Sequence, residues 1–158
     1  MQKQNIWGDY EKNILYPIDA NDANAIKCIL ELDAKVFWEW FTSKEELLEQ
    51  ILLCQNTQIN NAICVKNNWK IIGFWLCYIA WKWSKDNIQI DESIQNISKI
   101  WYIKTIIIDP KYQWQWLADK ILKEILYNAK QIGEEYLLLH AWDGSPNNSS
   151  VRFFQKAW

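Results

Sequence analysis

The chain has 158 residues, half of them hydrophobic, and a formal net charge of −2 at pH 7. This length suffices for one domain with a hydrophobic core, which we assign to residues 1–158, and the charge offers no electrostatic footprint for nucleic acid or an anionic membrane. No apolar run is long enough to span a bilayer, and residues 1–12 form a polar arm rather than a secretory signal, so we expect a cytosolic protein.

The N-terminal third predicts one strand followed by two helices. The strand covers residues 13–18, and Asp19 or Asn21 caps the first helix. The apolar residues of this first helix recur at helical spacing and predict an inner face made of Ile26, Ile29, Leu30 and Val36. After an aromatic turn, Ser43 and Glu46 match a capping box that opens the second helix. The predicted apolar face of this helix contains Leu47, Leu48, Ile51 and Leu52.

A β-hairpin is predicted next, with strands over residues 61–66 and 70–80. The turn between them reads Asn67-Asn68-Trp69. A two-residue hairpin turn favours Asn-Gly, because both central residues need positive φ, and Trp is a poor occupant of such a position. A long polar loop over residues 84–98 follows.

The stretch from Lys99 to Ala141 predicts a βαβ unit. A β-branched and aromatic strand ends at Asp109-Pro110, since proline lacks an amide hydrogen. A polar turn over residues 111–116 leads into an amphipathic helix that Gly133 closes, and a strand over residues 135–141 follows. The right-handed crossover makes the two strands parallel. The apolar face of the helix is predicted to contain Leu117, Ile121, Leu122, Ile125, Leu126 and Ala129.

A strand that turns tightly into a helix N-terminus is a potential anion site, because unpaired amides and the helix dipole both point at the ligand. The pattern alone does not distinguish such a site from a simple connector. The residues themselves carry more information. Residues 109–118 resemble the acetyl-CoA-binding motif of the GNAT N-acetyltransferase superfamily, which reads Arg or Gln, two residues, Gly, one residue, then Gly or Ala.

In this motif Gln113 matches the first position and Ala118 the last, while Trp116 and Trp114 stand where glycines are usual. Residues 147–158 resemble the family's Asn-led last helix, and Trp158 again stands where glycine is expected. The resemblance implies an α/β fold with a mixed, mostly antiparallel sheet, in which the fourth and fifth strands are parallel and helices flank the sheet. The family's last two strands are missing here, so we expect a chain truncated at its C-terminus.

The resemblance also implies direct transfer of the acetyl group of acetyl-CoA, a cosubstrate, to a primary amine of a small molecule or protein. Backbone amides of residues 114–118 would cradle the pyrophosphate. Backbone groups of residues 106–108 would hold the pantetheine and polarise the thioester carbonyl. The cofactor-binding residues implied in this way are Ile106, Ile107, Ile108, Gln113, Trp114, Gln115, Trp116, Leu117, Ala118 and Asn147.

The acid–base groups are less clear from the sequence. His140, the only histidine, lies at the end of the fifth strand and is the candidate general base, although a strand-end histidine without a role is the simpler interpretation. Phe154 replaces the tyrosine with which the family often protonates the leaving thiolate. The four cysteines show no metal-like spacing, so we expect no metal site and interpret them as buried thiols.

The chain has 12 Trp and only 4 Gly, whereas ordinary usage predicts roughly 11 glycines at this length. Trp69, Trp114, Trp116 and Trp158 all stand where geometry or motif favours glycine. We therefore hypothesise that UGA encodes glycine in the source organism and was translated as Trp. A protein that is naturally rich in Trp is the alternative.

Three alternatives to acetyl transfer remain at this stage. The first is a catalytically inactive GNAT-like domain that binds acyl-CoA or regulates a partner. The second is a Trp-rich module that stacks on sugars or bases. The acidic pI, near 5.5, weighs against nucleic acid as its ligand. The third is a cysteine acyl-enzyme, which is weaker because no cysteine neighbours the predicted cleft in sequence. A homodimer stays open, as does the acceptor.

Overall fold

The computed structural model describes residues 13–38, 41–55, 60–80, 100–115, 117–133 and 137–139. These residues form one five-stranded sheet with helices on both faces. The strands follow one another in chain order across the sheet, and only the last pair is parallel. The elements are β1 (Asn13–Pro17), α1 (Ala23–Phe37), α2 (Lys44–Gln55), β2 (Ala62–Asn67), β3 (Lys70–Ala80), β4 (Ile100–Ile108), α3 (Leu117–Gln131) and β5 (Leu137–Leu139).

The sheet separates two hydrophobic cores. On one face α1 and α2 pack with Ile26, Ile29 and Ile51 at its centre, and on the other face α3 packs with Ile121 and Ile125. The predicted inner face of α3 is confirmed, although Leu126 packs at the margin of its core. The predicted α/β class and the parallel pairing of β4 with β5 are therefore both confirmed.

Three local predictions about the first two helices were wrong. Asp22 caps α1, because its carboxylate accepts hydrogen bonds from the N–H groups of Asn24 and Ala25, whereas Asp19 binds the N–H of Asn21 in the preceding turn. Leu52 is exposed on α2, and Cys54 takes the buried position instead. Cys28 is exposed, so only the other three cysteines are buried.

The β2–β3 hairpin has the backbone that its length predicts. Asn68 and Trp69 both have positive φ, at 46° and 70°. Trp38, at the C-terminal cap of α1, has a φ of 54° and donates its N–H to the carbonyl of Ala34. Both Trp side chains are exposed, whereas Trp75 and Trp101 are fully buried. The strained tryptophans therefore contribute little to either core.

A β-bulge interrupts the middle of β4. Leu76 of β3 lies opposite Thr105, but the next residue, Cys77, lies opposite Ile103, so Lys104 is an extra residue on β4. The bulge changes the alternation of the strand: Ile103 and Ile106 both face the α3 core, while Lys104 and Thr105 both line a cavity on the side of α1 and α2. Without the extra residue, every side chain from Thr105 onward would face the opposite core.

Candidate active site

The predicted strand-to-helix junction is present after β4. Asp109 follows the strand, a 3₁₀ turn covers Pro110–Gln115, and α3 begins at Leu117. The N–H of Asp109 donates to the carbonyl of Ile72 at 2.7 Å, and the N–H of Tyr112 donates to the carbonyl of Asp109 at the same distance. The turn is thus tied to the sheet by its own main chain.

The Asp109 side chain ties the same turn to α1. Its carboxylate is buried and accepts hydrogen bonds from Lys35 Nζ of α1 at 2.7 Å and from the N–H of Lys111 at 3.0 Å. Burial acts to raise the pKa of Asp109, but these hydrogen bonds and the charges of Lys35 and Lys70 outweigh it and lower the pKa from its ordinary value of 3.8. Asp109 is therefore a charged anchor between α1 and the turn.

Several of the residues predicted to bind the cofactor lie around this turn. Gln113 is exposed, and its Nε2 donates to the carbonyl of Ile108 at 3.1 Å, so its side chain folds back over the end of β4. Leu117 is buried and Ala118 packs beside it against the α3 core. Trp114 and Gln115 lie in the 3₁₀ turn. Trp116, His140 and Asn147, which complete the predicted site, lie outside the described residues.

The three isoleucines of β4 that were predicted to bind the cofactor have side chains on different faces of the sheet. Ile107 packs in the core of α1 and α2, while Ile106 and Ile108 pack toward α3. On one edge all three pair with β3, where Gly73 lies so close that a Cβ atom there would be 2.9 Å from the carbonyl oxygen of Ile107. On the other edge of β4, the described residues of β5 pair with Trp101, Tyr102 and Ile103, which precede the bulge.

A cavity of about 400 Å³ opens beside the bulge, between α1, α2, β3 and β4. Phe37 lines it from the end of α1, Phe41 lines it from the α1–α2 connection, and Lys104 and Thr105 line it from β4. Its carboxylates come from Asp33 of α1 and Glu46 of α2. An apolar pocket with a few convergent polar groups is the usual form of a small-molecule site.

The two carboxylates of the cavity have different partners. Asp33 is buried, and its Oδ2 accepts the N–H of Thr42 at 2.6 Å, which holds the α1–α2 connection. Glu46 accepts Gln50 Nε2 at 2.8 Å, and its Oε1 lies 4.0 Å from Lys104 Nζ. The capping box is only half confirmed: the Ser43 hydroxyl accepts the Glu46 N–H, but the Glu46 carboxylate binds Gln50 of its own helix.

The sequence interpretation did not identify Asp33, Glu46, Lys104 or the link from Lys35 to Asp109 as site residues. One signal was available for Asp33, because an acidic residue stands at helical spacing from Ile26 and Ile29 on an otherwise apolar face. The other residues converge from separate elements, so their spacing along the chain carries no comparable signal.

Three of the four cysteines are poor nucleophiles. Burial raises the pKa of Cys54 to about 12 and that of Cys64 to about 11, and it also raises the pKa of Cys77. The described residues contain no group of His, Cys, Asp or Glu arranged to hold a metal ion. Within the same ranges, no helix is both long and apolar enough to span a membrane.

Comparison with known proteins identifies the class that this fold and junction define. The sequence profile of the Acetyltransferase (GNAT) family matches residues 26–158. The chain therefore belongs to the GNAT acetyltransferase family, as its motifs predicted. No curated protein sequence matches the chain significantly.

Solved structures of acetyltransferases have the same fold at low sequence identity. Ard1 from Thermoplasma volcanium superposes with a TM-score of 0.67 at 10% identity, covering 92% of this chain and 80% of its own. The aminoglycoside acetyltransferase meta-AAC0020, from an uncultured soil metagenomic sample, gives 0.64 at 16% identity, with coverages of 94% and 88%. Aminoglycoside N-acetyltransferase AAC(6')-Iy, in complex with CoA, gives 0.60 at 13% identity, with coverages of 92% and 85%.

Proposed function

We propose that this chain transfers the acetyl group of acetyl-CoA directly to a primary amine of a small molecule or protein. The observation that carries the proposal is the junction between β4 and α3, placed beside the only parallel strand pair among the described residues. At this junction the first amides of α3 have no helical partners, and the helix dipole favours a bound diphosphate. Family membership supports the same reaction.

The residues of the junction have separate tasks in this proposal. The amides of residues 114–118 bind the pyrophosphate of acetyl-CoA, and Asp109 holds the turn that presents them. The edge of Ile106–Ile108 that faces away from β3 offers main-chain groups to the pantetheine and to the thioester carbonyl. The chain then gains most of its rate by holding the amine against the thioester. As proposals from the sequence, Asn147 contacts the cofactor and His140 is one candidate for the general base.

Direct transfer is favoured over a cysteine acyl-enzyme by the thiols themselves. The three buried cysteines have raised pKa values, so they are thiols rather than thiolates near neutral pH. Cys28 is exposed but lines a different cavity, with Lys35 and Asp109 at its rim, and not the cavity beside the bulge. The attacking group in the proposed reaction is therefore the amine of the acceptor.

The acceptor binds in the cavity beside the bulge in this proposal. That cavity adjoins the middle of β4 at Lys104 and Thr105, and the aromatic side chains of Phe37 and Phe41 line it. Structural neighbours act on aminoglycosides, which makes polyamines of that kind the first acceptors to test. The cytosolic location remains a prediction from the sequence, and a homodimer stays open.

We also propose that Trp69, Trp114, Trp116 and Trp158 are glycines in the natural protein, translated from UGA. Two observations support this proposal. Trp69 has a φ of 70° and is 83% exposed, and Trp38 at a helix C-cap has a φ of 54° and is 79% exposed. Both conformations favour glycine. UGG codons in the gene at these positions would contradict the proposal.

Calorimetric titration with acetyl-CoA, combined with an assay of free thiol release, tests the function. We expect acetyl-CoA to bind and thiol to be released when sisomicin, spermidine or a peptide with a free N-terminus is added. Binding without thiol release from any acceptor would favour the inactive GNAT-like domain instead. Because two indoles would crowd the phosphate turn, the double variant Trp114→Gly/Trp116→Gly is expected to bind acetyl-CoA more tightly than the Trp-containing chain.

A further inference from the structure

We infer that Glu46 is the carboxylate that binds the ammonium group of the acceptor and removes its proton. The inference rests on the proposed acetyl transfer and assigns to a named residue the proton-accepting role for which the sequence offered only His140. Glu46 lies in the first turn of α2, and the cavity that it lines adjoins the bulge of β4 at Lys104 and Thr105.

The Glu46 carboxylate is held in place on one side only. Gln50, one turn along α2 and only 7% exposed, donates its Nε2 to Glu46 Oε1 at 2.8 Å. The buried amide fixes the direction of the carboxylate, while the Glu46 side chain, which lines the cavity, remains 52% exposed. A carboxylate with a fixed direction and an accessible oxygen can bind an incoming ammonium group.

Glu46 is better suited to this role than the second carboxylate of the cavity. Asp33 is buried, and the N–H of Thr42 approaches its Oδ2 to 2.6 Å, so that oxygen is engaged in holding the chain between α1 and α2. Lys104 is the cation that faces Glu46 from β4, at 4.0 Å. This distance exceeds a hydrogen bond, so Lys104 can orient Glu46 without occupying it; Gln50 binds Oε1, and an ammonium group or a water would bind Oε2.

The bulge connects the cavity that Glu46 lines to β4. The extra residue brings Lys104 and Thr105 together onto the α1–α2 side of the strand, so two consecutive residues of β4 line the cavity that Glu46 also lines. In the proposed function the thioester lies along Ile106–Ile108, which directly follow these two residues on β4. An amine bound by Glu46 therefore approaches the thioester from the helix side of the sheet.

The step balances in protons and electrons. The ammonium group gives one proton to the Glu46 carboxylate, and the freed nitrogen lone pair forms the C–N bond to the acetyl carbon. The C–S bond breaks, and its electron pair leaves with the sulfur of CoA. A second proton from the nitrogen goes to the thiolate, so that an amide and free CoA form, and Glu46 returns its proton to solvent.

Glu46→Gln tests the inference, with Glu45→Gln as the matched control, because Glu45 lies in the same turn and is exposed outside the cavity. With sisomicin or spermidine as acceptor, Glu46→Gln is expected to lower kcat about a hundredfold or more and to abolish the acidic limb of its pH profile. Glu46→Asp should keep that limb and recover part of kcat. Acetyl-CoA binding should change less than about twofold in all three variants, which also shows that they are folded.

Two results would overturn the assignment while leaving acetyl transfer intact. The first is a Glu46→Gln variant whose kcat and pH profile match the wild type. The second is a change confined to KM for the acceptor with the acidic limb retained, which would make Glu46 a binding residue without a proton role. Failure of the proposed function is recognised separately, because the wild-type chain itself would then release no thiol with any acceptor.

Discussion

The two halves of β4 serve the proposed reaction in different ways. At its C-terminal end, the turn into α3 is held by main-chain hydrogen bonds, from Asp109 to Ile72 and from Tyr112 to Asp109, and by the single side chain of Asp109. In its middle, the cavity at the Lys104 bulge owes its polar character to side chains from α1, α2 and β4. The cofactor end is thus specified by backbone shape, and the acceptor end by the convergence of side chains that are distant in sequence.

This difference has a physical consequence for how each end tolerates change. Main-chain donors persist under substitution as long as the backbone keeps its path, so only the groups that fix this path are sensitive. Side chains in a cavity can change individually, and each change alters which acceptor fits. Substitutions at the two ends should therefore affect different kinetic constants.

The largest stability effect is expected for Asp109→Ala at the cofactor end. The variant leaves Lys35 Nζ and the Lys111 N–H without the buried carboxylate that accepts both. We expect the free energy of unfolding to fall by about 2 kcal/mol in urea denaturation. The turn would shift, so KM for acetyl-CoA should rise about tenfold with a smaller change in KM for the acceptor.

The pH dependence of the Asp109 contribution provides its control. The folded pKa lies below the ordinary value, so the carboxylate stabilises the protein above about pH 4 and loses this contribution as the pH falls through the folded pKa. The stability difference between wild type and Asp109→Ala should be constant near neutral pH and shrink in acid. Glu31→Ala removes an exposed pair with Lys27 and should change stability by less than about 0.5 kcal/mol. An equal loss in both variants would contradict the anchoring role.

Asp33→Ala should have the next largest effect, at the acceptor end. The Thr42 N–H would lose its buried acceptor, and the connection that carries Phe41 into the cavity would loosen. We expect a stability loss of about 1–2 kcal/mol and a several-fold rise in KM for the acceptor, with acetyl-CoA affinity unchanged. Asp33→Asn keeps an oxygen for the Thr42 N–H and should retain most of both properties. Weakened acetyl-CoA binding in Asp33→Ala would show that the two ends are not independent.

The difference between the two ends of β4 also explains which features could be predicted from the sequence. The five strands, the first three helices and the junction at Asp109-Pro110 follow from local patterns of a few residues, and the structure confirms them, whereas the predicted last helix over residues 147–158 lies outside the described residues. The bulge was missed although Lys104 and Thr105 are two consecutive polar residues in an otherwise apolar strand, because a strand interpreted as buried on both faces has no expected alternation for them to break. The partners of Asp33 and Glu46 depend on how α1 and α2 pack over the sheet, and capping patterns such as Ser43-Glu46 report only local geometry.

Trp69→Gly should stabilise the protein, whereas Asp109→Ala and Asp33→Ala destabilise it, and the size of its effect should be smaller. The residue has a φ of 70°, which strains an L-residue with a side chain, and its exposed indole gives little packing in return. We expect the free energy of unfolding to rise by about 1 kcal/mol in urea denaturation. Trp75→Gly, at a buried Trp with no positive φ, should instead destabilise strongly. A Trp69→Gly variant less stable than the wild type would contradict the proposed glycine at this turn.

The smallest expected effect is that of Cys28→Ser, which should leave kcat and both KM values unchanged. Cys28 is exposed on α1 and lines the cavity with Lys35 and Asp109 at its rim, outside both the turn and the bulge. In the native chain, iodoacetamide near pH 8 should modify Cys28 alone, since burial raises the pKa of the other three thiols. Mass spectrometry of the native and the unfolded chain measures this selectivity. Loss of activity on alkylation of Cys28 would contradict this prediction. It would place part of the reaction next to Cys28 on α1, outside the cofactor and acceptor ends of β4.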